Sequence, residues 1–229
     1  MSTAIKGVSS MATRVILGEL ARRYEEASGT QVEIRSMGGV DAAALVRSGE
    51  AMDIVVLASK PMAELEAEGH LAAGSIRPFT RSGMAVAVPA GSAHPDLSSE
   101  EAVRRAVSTA RKVGYSTGPS GDHLLGLCQK WGLLPGMGDR LQKAPPGVPV
   151  AKLVADGEVD LGFQQLSELL NAPGIEIVGA LPPEIQATTV FAAGVSARSQ
   201  QPLETRVLID YLTSSGADEI KRAHGMDPA

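Results

Sequence analysis

The chain has 229 residues, of which 44% are hydrophobic, 21% are charged and 3% are aromatic, and its formal net charge is −5. This composition predicts a soluble globular protein with an aliphatic core, long enough for one large α/β unit or for two lobes. The negative charge and the scarcity of aromatic side chains argue against nucleic-acid binding and against affinity for acidic membranes. A local pocket for a small anion is compatible with the negative net charge and with the few aromatic side chains.

The cysteine and histidine positions predict neither a metal nor a cofactor. The single cysteine, Cys128, lies on a predicted apolar helix face, where we expect it to pack, and one cysteine cannot form a disulfide within the chain. His70, His94 and His224 show no metal-ligand spacing, and the chain has no Walker loop or GxGxxG string.

The N-terminal segment MSTAIKGVSS lacks the features of a signal peptide, and no apolar stretch approaches the roughly 20 residues that span a bilayer. The sequence as written therefore predicts a cytoplasmic protein without membrane insertion. If it is a trimmed mature form, we expect a periplasmic protein instead.

The first part of the chain alternates predicted strands and helices. For its first helix, we expect Ser9 or Ser10 to act as the N-cap and Gly29 to end it. The apolar run DIVVLA is typical of a parallel strand covered on both faces. The predicted elements are a strand over 4–9, a helix to about residue 28 with Val15, Ile16, Leu20 and Tyr24 buried, a strand over 31–35, a helix over 41–47, a strand over 53–58 and a helix around Met62.

The remainder of the chain continues the alternation and contains an internal echo. LVRSGEAMDI at 45–54 resembles LVADGEVDL at 153–161, and in both an Asp opens an apolar strand after a helix that ends at Gly, which suggests two lobes built alike. The predicted elements are a strand over 84–89, a helix over 100–111, a strand, loop and helix over 112–127, a short helix over 148–156 after a Pro-rich break, a strand over 188–197 and a helix over 203–212 with Val207, Leu208 and Leu212 on one face.

This order predicts an α/β fold of two lobes, each a mostly parallel sheet flanked by helices. Residues 1–82 and 189–229 would form lobe I and residues 83–188 lobe II, with hinges near Gly83 and Gly194. Ligands of such sheets bind beyond the carboxyl ends of the strands, so we expect a ligand cleft between the lobes. The helix N-termini predicted to face it follow the loops at Ser9, Gly38, Ser116 and Val148.

The segment KVGYSTGPSGDHLLGL, residues 112–127, predicts the clearest of these loops. Unpaired backbone N–H groups and the positive end of a helix dipole make such a loop suitable for an anion. Its hydroxyls can donate hydrogen bonds, and its glycines let a ligand approach the backbone. For this stretch alone an ordinary capped loop is the simpler interpretation, but the sequence predicts the same element at several other loops.

With these motifs the chain resembles the type II periplasmic solute-binding superfamily, and within it the molybdate-binding family. The resemblance rests on the strings VSSMAT, RSMGGVDAAALVRSGEAMDIVVLAS, GYSTGPSG and PVAKLVADGEVDLGFQQLSEL. It implies a tetrahedral oxyanion held by hydroxyls and backbone N–H groups without a cation. Carried over by position, it implies ligand-binding residues at Ser9, Ser10, Met11, Ser116, Thr117, Gly118, Pro119, Ser120 and Val148.

Two positions depart from that family. Gly38 or Gly39 replaces its usual serine before the second helix, and Gln165 replaces its usual tyrosine. The chain is also similar to bacterial aconitate isomerase, and a pocket enlarged by these replacements would suit a carboxylate with several arms. That similarity implies a proton shift across an allylic system, which needs a base and donors for enolate-like charge.

For this chemistry, His123 is the nearest candidate base and Ser120 a candidate proton relay, although a lone histidine in a first helical turn is more often solvated. Arg81 could pair with a carboxylate, or lie as a surface charge at a strand end. Gln164 and Gln165 should lie at the ligand-facing end of their strand. Two further residues, Asp53 and Asp160, open strands at the opposite end and are interpreted as structural.

The sequence therefore predicts binding of a small anion, either an oxyanion or a di- or tricarboxylate. We favour a cytoplasmic isomerase of an unsaturated carboxylate such as aconitate. The alternative is a molybdate-like substrate-binding protein, which after export would partner an ABC permease.

Overall fold

The computed structural model describes residues 4–229. Residues 1–3 lie outside the described residues. They are the start of the predicted lobe I and of the N-terminal segment MSTAIKGVSS. The chain divides into two compact units: unit 1 comprises the residues up to Arg81 together with Val190–Ala229, and unit 2 comprises Ser82–Thr189.

Strands and helices alternate along most of the chain. The strands are β1 (Ile5–Ser10), β2 (Val32–Met37), β3 (Ile54–Ala58), β4 (Arg77–Pro89), β5 (Val113–Tyr115), β6 (Leu141–Lys143), β7 (Leu161–Gln165), β8 (Ile175–Ala180), β9 (Thr188–Val195) and β10 (Asp227–Pro228). The helices are α1 (Arg14–Ser28), α2 (Gly39–Arg47), α3 (Ser59–Ala67), α4 (Glu100–Thr109), α5 (Pro119–Lys130), α6 (Leu134–Met137), α7 (Val150–Ala155), α8 (Leu166–Leu169), α9 (Pro202–Thr213) and α10 (Asp218–Ala223).

In unit 1, β1 pairs in parallel with β2 on one side and β3 on the other, and β9 pairs antiparallel with β3. The apolar run of β3 is buried on both faces, as predicted. Ile54 and Val56 belong to the cluster that includes residues of α1 and α9, whereas Val55 and Leu57 belong to the cluster that includes residues of α2 and α3. A Cβ at Gly7 would lie 2.3 Å from the Ile54 side chain, so this close approach of β1 and β3 requires glycine.

In unit 2, β5 pairs in parallel with β6 and β7, and β4 pairs antiparallel with β7 and β8. Phe163 of β7 packs in a cluster with residues of α4 and α5. On the other face, a Cβ at Gly162 would lie 2.4 Å from the Val154 side chain, so glycine lets α7 pack closely on β7. Cys128 is buried in α5 as predicted, and burial raises the pKa of its thiol to about 11.

Two helices bury faces that differ from the predicted ones. Val15 of α1 is 49% exposed, and Val207 of α9 is 57% exposed. At about 100° per residue, Val15 and Val207 lie on the side of their helices opposite to the stripe that the other apolar residues form. The buried positions are instead Ile16, Leu17, Leu20, Ala21 and Tyr24 in α1 and Thr205, Leu208, Ile209 and Leu212 in α9.

Several boundaries also differ from the predictions. β2 continues to Met37, β4 begins at Arg77, and the sequence did not indicate β6, β8, α10 or β10. Gly194, predicted as a hinge, pairs with Val55 inside β9, and a Cβ there would lie 2.9 Å from Met62 Cε. Its missing side chain therefore has a packing role. No helix within residues 4–229 has the length and apolar character needed to cross a bilayer.

Candidate functional site

In unit 1, the parallel register of β1 and β2 brings polar residues together at the carboxyl ends of both strands. Ser9 lies opposite Ser36 and Ser10 opposite Met37, and Gly38 and Gly39 follow immediately as α2 begins. The Oγ atoms of Ser9 and Ser36 are 2.8 Å apart, and Ser9 is fully buried. Ser36 was not predicted because the expected strand ended one residue earlier.

Neither Ser9 nor Ser10 caps α1 through its side chain, contrary to the prediction. Ser10 precedes a 3₁₀ turn over Met11–Thr13, and its side chain accepts no hydrogen bond from a backbone N–H of that turn. The Thr13 hydroxyl donates to Ser10 O at 3.1 Å, and the Ser9 hydroxyl can donate to Ser10 O at 3.3 Å. The serine hydroxyls are therefore not used as helix caps.

The start of α2 supplies backbone donors beside these serines. Gly38 O accepts the Ala42 N–H at 2.8 Å, whereas the N–H groups of the first turn precede the first helical acceptor. A Cβ at Gly39 would meet no atom within 4 Å. Arg81 does not belong to this group, because it lies exposed on β4 opposite Asp227 of β10.

In unit 2, the loop before α5 folds back on its own hydroxyl groups. Ser116 Oγ accepts the Gly118 N–H at 3.3 Å and lies 2.9 Å from Ser120 Oγ. A Cβ at Gly121 would lie 1.9 Å from Ser116 O, so glycine is required where α5 begins against the loop. Gly121 N–H in turn donates to Gly118 O at 2.9 Å.

These contacts narrow the set of predicted backbone donors. The Gly118 N–H is already bonded within the loop, and Pro119, at the first helical position, has no N–H. Within residues 4–229, the N–H groups of Thr117 and Ser120 have no backbone or side-chain acceptor. The donors that remain for an anion are therefore these two N–H groups and the neighbouring hydroxyls.

Val148 is placed differently from the prediction. Its N–H donates to Pro145 O at 3.0 Å and closes a turn in which Gly147 has a φ of 75°. A donor role for Val148 would require this bond to break. The N–H at the start of α7 is instead that of Val150, and it donates to Gln164 Oε1 at 3.0 Å.

Four residues, Gln164, Gln165, Ser167 and Glu168, form a polar group where β7 ends and α8 begins, here named the β7–α8 corner. Gln164 Nε2 donates to Glu168 Oε1 at 2.7 Å, so its amide connects the start of α7 to the Glu168 carboxyl. Gln165 and Thr189 are joined by a 2.7 Å hydrogen bond. Within residues 4–229, Gln165 Oε1 and Ser167 Oγ are buried and have no hydrogen-bond partner.

The unpaired amide oxygen of Gln165 makes a second orientation of this amide favourable when an anion is bound. Gln165 is 2% exposed, and a buried polar atom without a partner costs free energy. The Thr189 hydroxyl can donate or accept, so the amide can turn by 180° and keep that bond. In that orientation the free group is an N–H donor, which suits an anion.

Glu168, which the sequence analysis missed, is the strongly perturbed acid of this corner. Burial raises the pKa of its carboxyl to about 7, and the hydrogen bond from Gln164 opposes the shift. The residue nevertheless keeps partial exposure to solvent. Such a carboxyl can exchange a proton near neutral pH. The sequence signal was an acid three residues after two adjacent amides in an otherwise apolar stretch, LGFQQLSELL.

His123, the predicted base, has one ring nitrogen already in use. Its Nε2–H donates to Ile185 O at 2.7 Å, so only Nδ1 is free to accept a proton. Ser120, the predicted relay, is buried beside Ser116. Within residues 4–229, no group of three or more His, Cys, Asp or Glu side chains could hold a metal ion.

Residues 5–227 of the chain match the family of bacterial extracellular solute-binding proteins. The chain belongs to this family. Among curated proteins, it is 34% identical over 238 residues to an aconitate isomerase from a Pseudomonas species, covering 99% of this chain and 88% of the relative.

Solved structures of other solute-binding proteins share the fold. The periplasmic molybdate-binding protein of Azotobacter vinelandii superposes with a TM-score of 0.81 at 21% identity, covering 97% of this chain and 98% of that protein. The tungstate ABC transporter protein of Geobacter sulfurreducens has a TM-score of 0.73 at 13% identity, covering 95% and 97%. These likenesses confirm the predicted α/β type II periplasmic-binding-protein fold.

Proposed function

We propose that this solute-binding protein binds a small carboxylate anion and isomerises an unsaturated one, such as aconitate. The observation that carries the proposal is the 34% identity to an aconitate isomerase along 99% of the chain. The residues proposed to bind the ligand are Ser9, Ser10, Met11, Gly38, Gly39, Ser116, Thr117, Gly118, Pro119, Ser120, Gln164 and Gln165, and Ser36 joins them. Of these residues, Gly118, Pro119 and Gln164 would line the site without a free donor, because the Gly118 N–H and the Gln164 amide are already bonded and proline has no N–H. Val148 and Arg81 are weaker candidates, because the Val148 N–H closes a turn and Arg81 lies exposed on β4.

The chemistry of these residues supports a carboxylate ligand. Hydroxyl and backbone N–H groups are hydrogen-bond donors that bind carboxylates without an ion pair. The Ser9–Ser36 and Ser116–Ser120 pairs each supply two hydroxyls, and the Gln165 amide supplies a buried group that awaits a partner. Each of these groups can donate a hydrogen bond to a carboxylate oxygen.

The proposed reaction is a proton shift within the allylic part of the carboxylate. A base removes a proton from the methylene carbon, and the same proton or another is added at the far carbon of the double bond. Backbone donors such as the Thr117 and Ser120 N–H groups would stabilise the negative charge that develops on a carboxylate oxygen. The reaction needs no net oxidation or reduction.

The test is incubation of the purified chain with trans-aconitate and, separately, cis-aconitate, followed by proton NMR. We expect both samples to reach the same equilibrium mixture. A protein-free sample of each acid, incubated in parallel, is the control. No interconversion at either pH 6 or pH 8, with the protein folded by circular dichroism, would contradict the proposal.

A second candidate is an uptake receptor for an oxyanion such as molybdate, working with an ABC permease. The paired hydroxyls favour it, because they can hold a small oxyanion without a cation. Thermal denaturation with molybdate, tungstate, sulfate, citrate and the two aconitates discriminates the candidates, since a ligand that binds only the folded state raises the melting temperature. Stabilisation by molybdate or tungstate, and none by the carboxylates, would favour the receptor.

The two candidates also differ in compartment. We propose that the isomerase works in the cytoplasm, whereas a receptor would work in the periplasm. Fractionation of cells that express the natural gene, followed by immunodetection, separates the two locations. Detection of the mature chain in the periplasm alone would argue for the receptor.

A further inference from the structure

The Glu168 carboxyl is held in a fixed position by a chain of two hydrogen bonds. Val150 N–H donates to Gln164 Oε1 at 3.0 Å, and Gln164 Nε2 donates to Glu168 Oε1 at 2.7 Å. The Gln164 amide is almost fully buried and is bonded at both of its polar atoms. It therefore fixes the orientation of the Glu168 carboxyl, as a catalytic group requires.

No salt bridge within residues 4–229 neutralises this carboxyl. The charged side chains of the neighbouring helix α7, Lys152 and Asp156, pair with each other at 2.7 Å and are exposed. On β8, Glu176 pairs with His94 at 2.8 Å. Burial thus dominates the ionisation of Glu168, and its pKa of about 7 follows from burial rather than from a neighbouring charge.

Comparison with unit 1 indicates that the fold does not require an acid at this position. Asp53 opens β3 and Asp160 opens β7, and counting onward from each aspartate places Pro61 at the position that corresponds to Glu168. The next residues, Met62 and Leu169, are both buried, so each helix places an apolar side chain in the core directly after this position. Unit 1 completes the same strand-to-helix connection without a carboxyl.

A second observation points to a ligand at this corner. Gln165 Oε1 and Ser167 Oγ are buried and have no partner among residues 4–229. They lie at the two positions on either side of Leu166, immediately before Glu168 in the chain. A ligand with several polar atoms that bound at the β7–α8 corner would supply partners for these two atoms.

We propose that Glu168 is the base that removes the methylene proton of the unsaturated carboxylate, a role that rests on the function proposed above. The C–H bond of the methylene carbon breaks, the proton moves to a Glu168 carboxylate oxygen, and the C–H electron pair becomes the new double bond. The electrons of the old double bond then take a proton from Glu168 at the far carbon. Atoms and charge balance, and the carboxylate is regenerated.

Glu168 fits this role better than His123. The free Nδ1 of His123 is available, but its ring is anchored through Nε2 to Ile185 O, and no unpaired buried polar atom lies beside it in the chain. Glu168 has a fixed carboxyl and partial exposure, and two unpaired buried groups lie within three residues of it in the chain. The two residues therefore provide a direct experimental contrast.

The test compares Glu168→Gln with His123→Gln and with the control Glu158→Gln, which removes an exposed carboxyl of the same unit. Glutamine at position 168 can still accept the Gln164 hydrogen bond, so the fold should be retained. We expect Glu168→Gln to lower kcat for trans-aconitate by about 100-fold, in the range of general-base catalysis, while the Kd from calorimetry changes less than threefold. His123→Gln and Glu158→Gln should stay within tenfold of the wild type.

Two further readouts separate a base from a structural group. In D2O, the wild type should introduce deuterium at the methylene carbon, and Glu168→Gln should not. Glu168→Asp should keep measurable turnover with its pH profile displaced. A kcat loss of less than tenfold in Glu168→Gln overturns the role while leaving the isomerase intact. Absence of turnover in the wild type overturns the proposed function, and the base with it.

Discussion

The two units open their central strands in the same way and end them differently. In unit 1, Lys6 N–H donates to Asp53 Oδ2 at 3.0 Å and Asp53 N–H donates to Lys6 O at 2.7 Å. In unit 2, Lys112 N–H donates to Asp160 Oδ2 at 3.2 Å and Asp160 N–H donates to Lys112 O at 3.0 Å. The internal echo in the sequence therefore corresponds to a shared hydrogen-bond arrangement.

At the carboxyl ends of the same strands the resemblance stops. Leu57 and Ala58 end β3, whereas the corresponding residues of β7 are Gln164 and Gln165. All four are buried, so packing alone accommodates apolar side chains at these positions. The amides of unit 2 cost desolvation that unit 1 avoids, and we attribute the difference to ligand binding.

The largest expected effect concerns the aspartates that open the strands. Asp53 is buried and also accepts hydrogen bonds from Ser199 Oγ at 2.8 Å and Gln200 N–H at 3.2 Å. We expect Asp53→Ala to lower the free energy of unfolding by about 3 kcal/mol, because a buried carboxylate and its three part-buried hydrogen bonds are lost. Urea denaturation measures this loss.

The matched control for that prediction is Asp160→Ala. The Asp160 side chain is 38% exposed and accepts hydrogen bonds from the backbone N–H and the guanidinium of Arg111. The Arg111 side chain is 61% exposed, so its guanidinium can bond to water instead. We expect a loss of about 1 kcal/mol. Equal losses in the two variants would contradict the idea that burial separates the two aspartates.

The second largest effect is the change in the free energy of unfolding with pH that the Glu168 carboxyl causes. Its pKa is raised from 4.5 to about 7 in the folded chain, so between these values the folded state holds a proton that the unfolded state has released. The free energy of unfolding therefore falls as pH rises through this window, by about 2.5 kcal/mol between pH 5 and pH 8. Glu168→Gln should remove this fall and be more stable than the wild type at pH 8.

The check is a pair of urea titrations at pH 5 and pH 8, with Glu158→Gln as the control. The control should follow the wild type at both pH values. If Glu168→Gln also followed it, the carboxyl would not be desolvated in solution. A variant that gains stability while losing turnover would show that this acid is retained for function.

How far the sequence predicted the molecule depended on whether a signal was local. The apolar run of β3 and the structural roles of Asp53 and Asp160 are confirmed, because a buried strand and its opening acid leave a pattern within a few residues. Ser36 was missed because its importance comes from the register of β2 against β1. Glu168 was missed because its raised pKa comes from burial in the folded chain, which leaves no local pattern in the sequence.

The donors were also predicted from position alone, which cannot show where each N–H points. Val148 precedes a helix as expected, but the Pro-Pro-Gly sequence before it forms a turn that uses its N–H. Gly147 indicates a turn because glycine favours a positive φ. The hydrogen bond that closes the turn depends on the folded backbone and leaves no pattern in the sequence. The choice among available donors is thus a tertiary property.

The third prediction concerns the buried amide of Gln165. Replacing it gives unit 2 an apolar side chain at the position where unit 1 has Ala58. Gln165→Met keeps a similar volume and removes the unpaired Oε1, so we expect stability to rise by about 1 kcal/mol. Because the amide is proposed to bind the anion, affinity for trans-aconitate should fall about tenfold, equivalent to one lost hydrogen bond. Urea denaturation and calorimetry measure the two changes. A variant that loses both stability and affinity would contradict the proposal that the Gln165 amide lowers stability and is retained for ligand binding.

The smallest effect returns to the loop of unit 1. A serine at position 39 would meet open space, and Gly39 has no positive φ, so Gly39→Ser should change stability by less than about 0.5 kcal/mol. It would add a hydroxyl donor beside Ser9 and Ser36 and reduce the room for a branched ligand. We therefore expect a larger thermal shift with molybdate and a smaller one with trans-aconitate.

The control is Gly39→Ala, which adds the Cβ without the hydroxyl. It separates the effect of the hydroxyl donor from the effect of the added Cβ, since only the serine should strengthen molybdate binding. A gain with alanine as large as that with serine would assign the change to shape or helix propensity rather than to the donor.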